Sequence, residues 1–171
     1  MKRFASILLI AVFIVTTLAI GPTLAQQKTT ITFWHAMGAQ LGKTIDMLVE
    51  QFNNENPDVF VKAEYQGNYG ALSQKLVGSL VARKPPTVAQ VYGNWAAEYI
   101  TSNELVPIEK FVKGPNGLSS LEIDDIWEGL RAGCVFDGVW YTMPFNKSVY
   151  VLVYNQTALK EAGIAKPPAT W

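Results

Sequence analysis

One cysteine and one histidine are all that 171 residues contain, and that scarcity excludes whole classes of chemistry. Cys134 cannot form an internal disulfide, so no covalent staple holds the fold. A lone small thiol is far more often a buried hydrophobe than a nucleophile. With His35 as the only imidazole, a histidine-based metal cluster cannot form within the chain. A Gly-x-Ser-x-Gly nucleophile elbow is missing, and no pattern calls for a cofactor. Excess positive charge is missing as well: 14 Lys and Arg face 14 Asp and Glu, which gives no basic stripe for nucleic acid. Internal repeats and low-complexity stretches are also lacking.

What is present begins with an export pattern. Met1-Lys2-Arg3 supplies positive charge, and Phe4 to Ile20 is apolar except for Ser6, Thr16 and Thr17. Gly21-Pro22 then breaks any helix, and Thr23-Leu24-Ala25 offers a small-x-small cleavage site, the order of a secretory signal peptide. The competing reading is a retained anchor, but the apolar run sits near the lower limit of about 17 residues for crossing a bilayer. The breaker and Ala25 favour cleavage. No cysteine follows the run, which removes a lipid anchor. The expectation is a signal over residues 1–25 and an exported, periplasmic chain beginning near Gln26. Without Lys2 and Arg3 the 14 basic residues become 12 against 14 acidic ones, a mildly acidic balance. At the other end, Pro167-Pro168-Ala169-Thr170-Trp171 stops on a large apolar residue with no polar tail, which reads as a truncation.

Periodicity organises the middle. Ile31 to Trp34 reads as a buried strand. Leu41, Ile45, Leu48, Val49 and Phe52 fall at i, i+4, i+7, i+8 and i+11, one face of a helix. Val59 to Tyr65 alternates as a strand does, and Gly67 to Gly70 is a turn. Leu72, Leu76, Val77, Leu80 and Val81 make a second helix, which Pro85-Pro86 ends, and Val88 to Tyr92 is a third strand. Strand and helix in alternation predict an α/β fold with an open, mostly parallel sheet and helices on both faces. Further on, Asn94 to Thr101 reads as a short helix and Pro107 to Gly117 as a loop. Asp124 to Leu130 reads as a helix with Asp124 at its positive end. Asp137-Gly138 forms a hairpin turn, and Val149 to Tyr154 a strand. Thr157 is predicted to cap a helix through Ala162, with Gly163 closing it.

Ligands of open α/β sheets sit beyond the carboxyl ends of the strands, so the loops after the strands hold the candidates. They carry Trp34-His35-Ala36-Met37-Gly38, Gly67-Asn68-Tyr69, Gly93-Asn94-Trp95 and Phe145-Asn146-Lys147-Ser148. Aromatic faces, amides, hydroxyls and one ammonium suit a sugar, a polyol or a phosphorylated polyol. The same aromatics often do no more than seal a core. Gly42-Lys43-Thr44 resembles the end of a phosphate-binding loop, but the glycine needed five residues before Gly42 is Met37. Asp124-Asp125 reads as a helix cap rather than a catalytic pair.

Taken in order, these segments resemble the family 1 extracellular solute-binding proteins of ABC importers, and the glycerol-3-phosphate-binding branch among them. The likeness rests on Phe33-Trp34-His35-Ala36-Met37, Leu41 to Asp46, Phe52-Asn53-Asn54-Glu55-Asn56-Pro57-Asp58, Gly67-Asn68-Tyr69 and Gln90-Val91-Tyr92. It continues through Pro144-Phe145-Asn146, Tyr154-Asn155, Ala162-Gly163 and Pro167 to Trp171. What it implies is a type II periplasmic-binding-protein fold of two lobes closing on a small polar ligand, which is then delivered to membrane permease subunits. Residues 26–145 would form the N-terminal lobe, and 146–171 the hinge strand and the start of the second lobe. Such a protein is a transport receptor rather than an enzyme, and a monomer when full length. The branch's tyrosine carries over to Tyr69 and its hinge-loop serine to Ser148, as ligand contacts. Its acidic residue directly after Gln-Val-Tyr does not carry over, because that position is Gly93. Asn94 or Trp95 would then substitute, and Trp95 suits a sugar ring. Trp34 and His35 complete the candidate set. Lys147, unusual in this loop, either meets a phosphate or extends into water. Glycerol-3-phosphate or a glycerophosphodiester is the expected ligand. A sugar or oligosaccharide is the alternative, and a secreted carbohydrate-active enzyme with a carboxylate pair is the reading from a different class.

Overall fold

The computed structural model describes residues 28–168 and 170. The predicted signal segment, 1–25, lies outside the described residues, as does Trp171. Among the described residues, no helix is long and apolar enough to cross a membrane. The chain falls into two compact units, one ending at Gln90 and the other starting at Val91. They are described separately.

The first unit is a three-stranded parallel sheet in the order β2-β1-β3, with β1 at Thr29–His35, β2 at Val59–Tyr65 and β3 at Val88–Ala89. Helix α1, Ala39–Glu55, connects β1 to β2, and helix α2, Tyr69–Val81, connects β2 to β3. The two crossovers run in opposite directions along the sheet. Right-handed connection therefore puts the two helices on opposite faces. β1 and β2 pair over their whole length, from Thr29 opposite Val59 to His35 opposite Tyr65. β3 is shorter than the predicted Val88 to Tyr92, because only Val88 and Ala89 pair with β1. Side chains and single bonds extend that seam on both sides. Thr87 N–H donates to Thr32 Oγ1 at 2.9 Å before the strand, and Gln90 N–H to the Trp34 carbonyl at 2.9 Å after it.

β2 lies at the edge of this sheet, where unpaired backbone groups invite another strand. Asn53 of α1 occupies that edge. Its Nδ2 donates to the Val61 carbonyl at 2.9 Å, and its Oδ1 accepts from Val61 N–H at 2.7 Å. Beneath the helices, Ile45 of α1 and Leu72 and Leu76 of α2 are buried. The apolar face predicted for α1 is only partly covered, since Leu41, Leu48 and Phe52 stay exposed.

The second unit begins with helix α3, Gly93–Thr101. The predicted loop from Pro107 to Gly117 contains a helical turn, α4, at Glu109–Val112. The helix predicted from Asp124 to Leu130 is instead two short ones, α5 at Ser120–Asp125 and α6 at Glu128–Ala132. The start of α5 is set by a capping box, in which Ser119 accepts from Glu122 N–H and the Glu122 carboxylate accepts from Ser119 N–H. Asp124 therefore sits at the end of a helix rather than at its positive start. There the helix dipole disfavours a carboxylate, and Arg131 offsets this with a bond at 3.0 Å. The hairpin of β4, Val135–Phe136, and β5, Val139–Trp140, turns through Asp137 and Gly138 at φ +49° and +81°. Those are the two left-handed residues of the turn that matches strand twist. Cys134 is buried against Val112 and Trp140, with Ile108, Leu118 and Ile123 packed around them. It is the small core residue expected.

Val149 to Tyr154, predicted as a strand, is not one. All six residues are exposed, Tyr150 at 96%. A run of β-branched and aromatic residues favours extended backbone, but a strand exists only when a neighbour takes its N–H and C=O groups. Helix α7, Gln156–Glu161, is capped by Asn155, whose side chain accepts from Thr157 N–H and Ala158 N–H, so the cap stands two residues before the predicted Thr157. Gly163 follows at φ +72°, as its left-handed role requires.

Asn53→Ala should destabilise the chain by about 1–2 kcal/mol in urea unfolding, because both backbone groups of Val61 lose a partner at once. Amide exchange at Val61 should accelerate by more than that at its β1-facing neighbours. Unchanged stability together with unchanged exchange would mean that the edge is held some other way.

Candidate functional site

The order β2-β1-β3 creates a switch point. From β1 the chain departs towards β2, and α2 brings it back across to β3 on the other side. Loops at the carboxyl ends of β1 and β3 therefore diverge, and a crevice at such a point is where open α/β sheets bind ligands. Gln90, the residue after β3, stands at that point. The side chain is nearly enclosed, at 5% exposure. Its Oε1 accepts from Ala36 N–H at 2.9 Å, and its Nε2 donates to the Tyr69 hydroxyl at 2.8 Å. One amide thus ties together the segments that follow β1 and β3 and the start of α2.

Tyr69 reaches that position because of the two residues before it. Gly67 has φ +95°, and a Cβ there would stand 3.1 Å from that of Ala71, so the turn out of β2 favours glycine strongly. Asn68 is the N-cap of α2, its side chain accepting from Ala71 N–H at 3.0 Å. The Gly-Asn-Tyr segment is a turn, a cap and a presented phenol in succession. Lys75 adds a further tie, donating from Nζ to both the backbone oxygen and Oε1 of Gln66 at 3.1 Å.

His35 ends β1 and is buried, with 3% exposure. Its Nδ1 accepts from Met37 N–H at 3.3 Å, and its ring lies 5.4 Å from that of Phe33 and 6.0 Å from that of Tyr65. Burial pushes the imidazole below its ordinary value, against an opposing pull from Asp46. The ring is therefore neutral near neutrality, with the proton on Nε2. Gly38 leaves room for Tyr65, since a Cβ there would meet the phenol oxygen at 3.0 Å. Trp34, one residue back from the strand end, has its indole N–H on Glu64 at 2.8 Å. Glu64 stands directly opposite Trp34 in the ladder and also pairs with Lys62 at 2.7 Å. The Lys62 ammonium, with help from the indole N–H, holds the Glu64 carboxyl below its usual range. Both candidates at the end of β1 are thus engaged within the sheet.

The remaining candidates belong to the second unit. Gly93 and Asn94 open α3 and are exposed. A Cβ at Gly93 would meet nothing within 4 Å, so its lack of a side chain answers no steric demand. Trp95 is half-buried, edge-on to Tyr92 with ring centres 5.0 Å apart. Ser148 lies in an exposed segment without regular structure, beside Lys147. Among the described residues, no group of His, Cys, Asp and Glu could hold a metal ion. Gly42-Lys43-Thr44 runs inside α1, where Thr44 Oγ1 donates to the Gln40 carbonyl, and it makes no phosphate loop. Gln90 was the residue that sequence reasoning passed over as part of the site. Its advance signal was its place in the Gln90-Val91-Tyr92 segment, and the sequence placed it inside the third strand rather than just after it.

A parallel sheet with crossover helices and a switch point is an architecture that solute-binding proteins share with other α/β proteins. Residues 38–171 match the description "Bacterial extracellular solute-binding protein", and the chain belongs to that family. It is 34% identical to the sn-glycerol-3-phosphate-binding periplasmic protein UgpB of Escherichia coli (strain K12), over 90% of this chain and 36% of that protein. The same figures hold for UgpB of Shigella flexneri serotype 5b. The chain therefore spans little more than a third of the length of these relatives. Among solved structures it resembles the sugar-binding protein MalE of Xanthomonas citri, with TM-score 0.58 and 27% identity over 68% of this chain and 28% of that one. The fold also matches the galacto-N-biose-/lacto-N-biose I-binding protein of an ABC transporter from Bifidobacterium longum. There the TM-score is 0.65 at 23% identity, over 85% of this chain and 35% of that one. Members of the family are transport binding proteins.

The neutral burial of His35 has a pH consequence. A histidine whose folded value is depressed binds fewer protons folded than unfolded, so its contribution is complete above the unfolded value of about 6.5. It falls as pH drops from there towards the folded value. Urea unfolding between pH 7.5 and 5 should show stability declining below about pH 6.5. His35→Gln should flatten that part of the profile while leaving the deeper acid loss, to which the depressed Glu64 contributes. An unaltered slope in the variant would show that other groups set it.

Proposed function

We propose that this chain serves in the receptor component of an ABC importer, exported through its N-terminal signal. It captures glycerol-3-phosphate or a glycerophosphodiester and delivers it to membrane permease subunits. The carrying observation is Tyr69, which is presented at the switch point by a glycine turn and a helix cap, with its hydroxyl held by a buried amide. The relatives named for glycerol-3-phosphate binding support the choice of ligand. In this reading Tyr69 is a ligand contact of the first unit, and Gly93, Asn94, Trp95 and Ser148 are those of the second. Trp34 and His35 act by shaping the end of β1. No catalytic step is assigned to any of them.

Gly93 favours a second reading, the same receptor role for a sugar. An acidic side chain would find open space at that position, so its absence reads as a difference in ligand rather than in packing. Trp95 supplies an aromatic face of the kind sugar rings stack on, and a sugar-binding protein stands among the related structures.

Titration calorimetry decides between the two, applied to this chain and to any longer product of the same reading frame. Binding of sn-glycerol-3-phosphate without binding of maltose supports the first reading, and the reverse supports the second. Tyr69→Ala should weaken the ligand that binds by about tenfold or more, the loss of a hydrogen bond to a charged or hydroxyl-rich ligand. Circular dichroism should be unchanged. Unaltered affinity in the variant would remove Tyr69 from the site.

A further inference from the structure

Parity decides which backbone groups of β2 face away from β1. Thr29 N–H donates to the Asp58 carbonyl and Gln66 N–H to the His35 carbonyl, so the even-numbered residues of β2 turn towards β1 in this parallel ladder. The odd-numbered ones, Val59, Val61, Ala63 and Tyr65, turn outwards from the sheet, which β2 ends. Val59 N–H is taken by the Asn56 carbonyl at 3.2 Å, and both groups of Val61 by the Asn53 amide. The direction of that amide is fixed, since Val61 N–H can only donate and its carbonyl only accept. Among the described bonds, none reaches the outward groups of Ala63 or Tyr65. A groove of about 420 Å³ runs beside this edge, between Asp46, Val49, Glu50 and Asn53 of α1 and Phe60 to Ala63 of β2.

The side chains of this edge are complementary to a second copy of it. Two β2 strands related by a two-fold axis run antiparallel, with outward residues facing outward residues. Centred on Ala63, such a pairing exchanges hydrogen bonds at Ala63 with Ala63 and at Val61 with Tyr65. It also sets Lys62 directly opposite Glu64 of the other copy, and Glu64 opposite Lys62, at the closely spaced positions where opposite charges attract. Asn53 already holds Val61, which removes the exchanging pairs on both sides of Ala63. Centred on Glu64, Ala63 pairs with Tyr65 and Asn53 stays in place, but the Glu64 carboxylates of the two copies then meet, which is destabilising. Neighbouring registers set Lys62 against Lys62, or run into the left-handed turn at Gly67.

We propose that the outer edge of β2 is a latent interface for a second copy of this chain, kept shut by Asn53 in one register and by Glu64 in the other. The proposal is independent of the ligand assignment.

Sedimentation velocity over a range of concentrations tests it on the whole chain, with the unsubstituted chain as reference. Asn53→Ala should strengthen self-association by about tenfold or more, because it releases Val61 for the register with opposite charges aligned. Adding Lys62→Glu to that variant sets acid against acid and should return association to the reference level. Amide exchange locates the contact. Val61, Ala63 and Tyr65 should become protected as the concentration of Asn53→Ala rises, while at dilution Val61 exchanges faster than in the reference.

Glu64→Gln tests the second register with Asn53 in place. Its side-chain oxygen still accepts the Trp34 indole N–H, and association should strengthen with protection confined to Ala63 and Tyr65. If circular dichroism shows that Asn53→Ala does not fold, this variant decides alone. Association no stronger than the reference in a folded variant of Asn53 or Glu64 overturns the proposal. So does stronger association that Lys62→Glu fails to reverse, or that leaves Ala63 and Tyr65 exchanging freely, since the contact then lies elsewhere, as at Val149 to Tyr154. An asparagine that only stabilised its own strand would lower stability at every concentration without protecting Ala63.

Discussion

Pairing on both sides of β1 is the constraint from which the first unit follows. The strand has β2 on one side along its full length and the short β3 on the other. Where both partners flank it, at Phe33 and Trp34, its backbone groups are taken up within the sheet, as buried polar groups must be. The pairing does not stop where the strands do. Gln66 N–H reaches the His35 carbonyl and Gln90 N–H the Trp34 carbonyl, so the segments leaving the sheet depart in fixed directions. The Gln90 side chain then carries the tie one step further, to Ala36 and Tyr69. A rim built this way inherits its geometry from the ladder rather than from loop packing.

The aromatic and charged residues at that rim divide into two kinds. His35 is sealed beneath it, neutral, and packed between Phe33 and Tyr65. Trp34 and Glu64 face each other across the ladder, with Lys62 completing the set. These groups spend their hydrogen bonds on holding β1 and β2 together. Tyr69 is different, since its position at the first turn of α2 is imposed by Gly67 and Asn68. The contrast is between residues that build the edge of the sheet and one that is displayed at it.

Much of the architecture was legible in the residues. The alternation from Val59 to Tyr65 gave β2 to the residue, and the spacing of the apolar residues gave α1 and α2. Asp137-Gly138 gave the hairpin, because two left-handed residues in sequence have few other uses. What escaped notice depended on partners distant in the chain. Val88 to Tyr92 has the composition of a five-residue strand, but only two residues find β1. Val149 to Tyr154 is an unbroken run of β-branched, aromatic and aliphatic residues and stays unpaired, since composition cannot supply a neighbour. The acidic run around Asp124 suggested a helix start, while the capping box at Ser119 and Glu122 had already placed that start four residues earlier, at Ser120. Tyr69 was singled out through its motif, whereas Gln90 is an ordinary amide whose bonds to Ala36 and Tyr69 appear only in the folded chain.

Asn53 gives the sheet a polarity of growth. With both groups of Val61 taken by a side chain from the same layer, an incoming extended peptide at the β2 margin would have to displace two short bonds before gaining any of its own. The opposite margin, at β3, carries no such plug among the described bonds. Any widening of the sheet, whether by more of the same polypeptide or by a foreign one, is channelled to that side, next to the switch point rather than away from it.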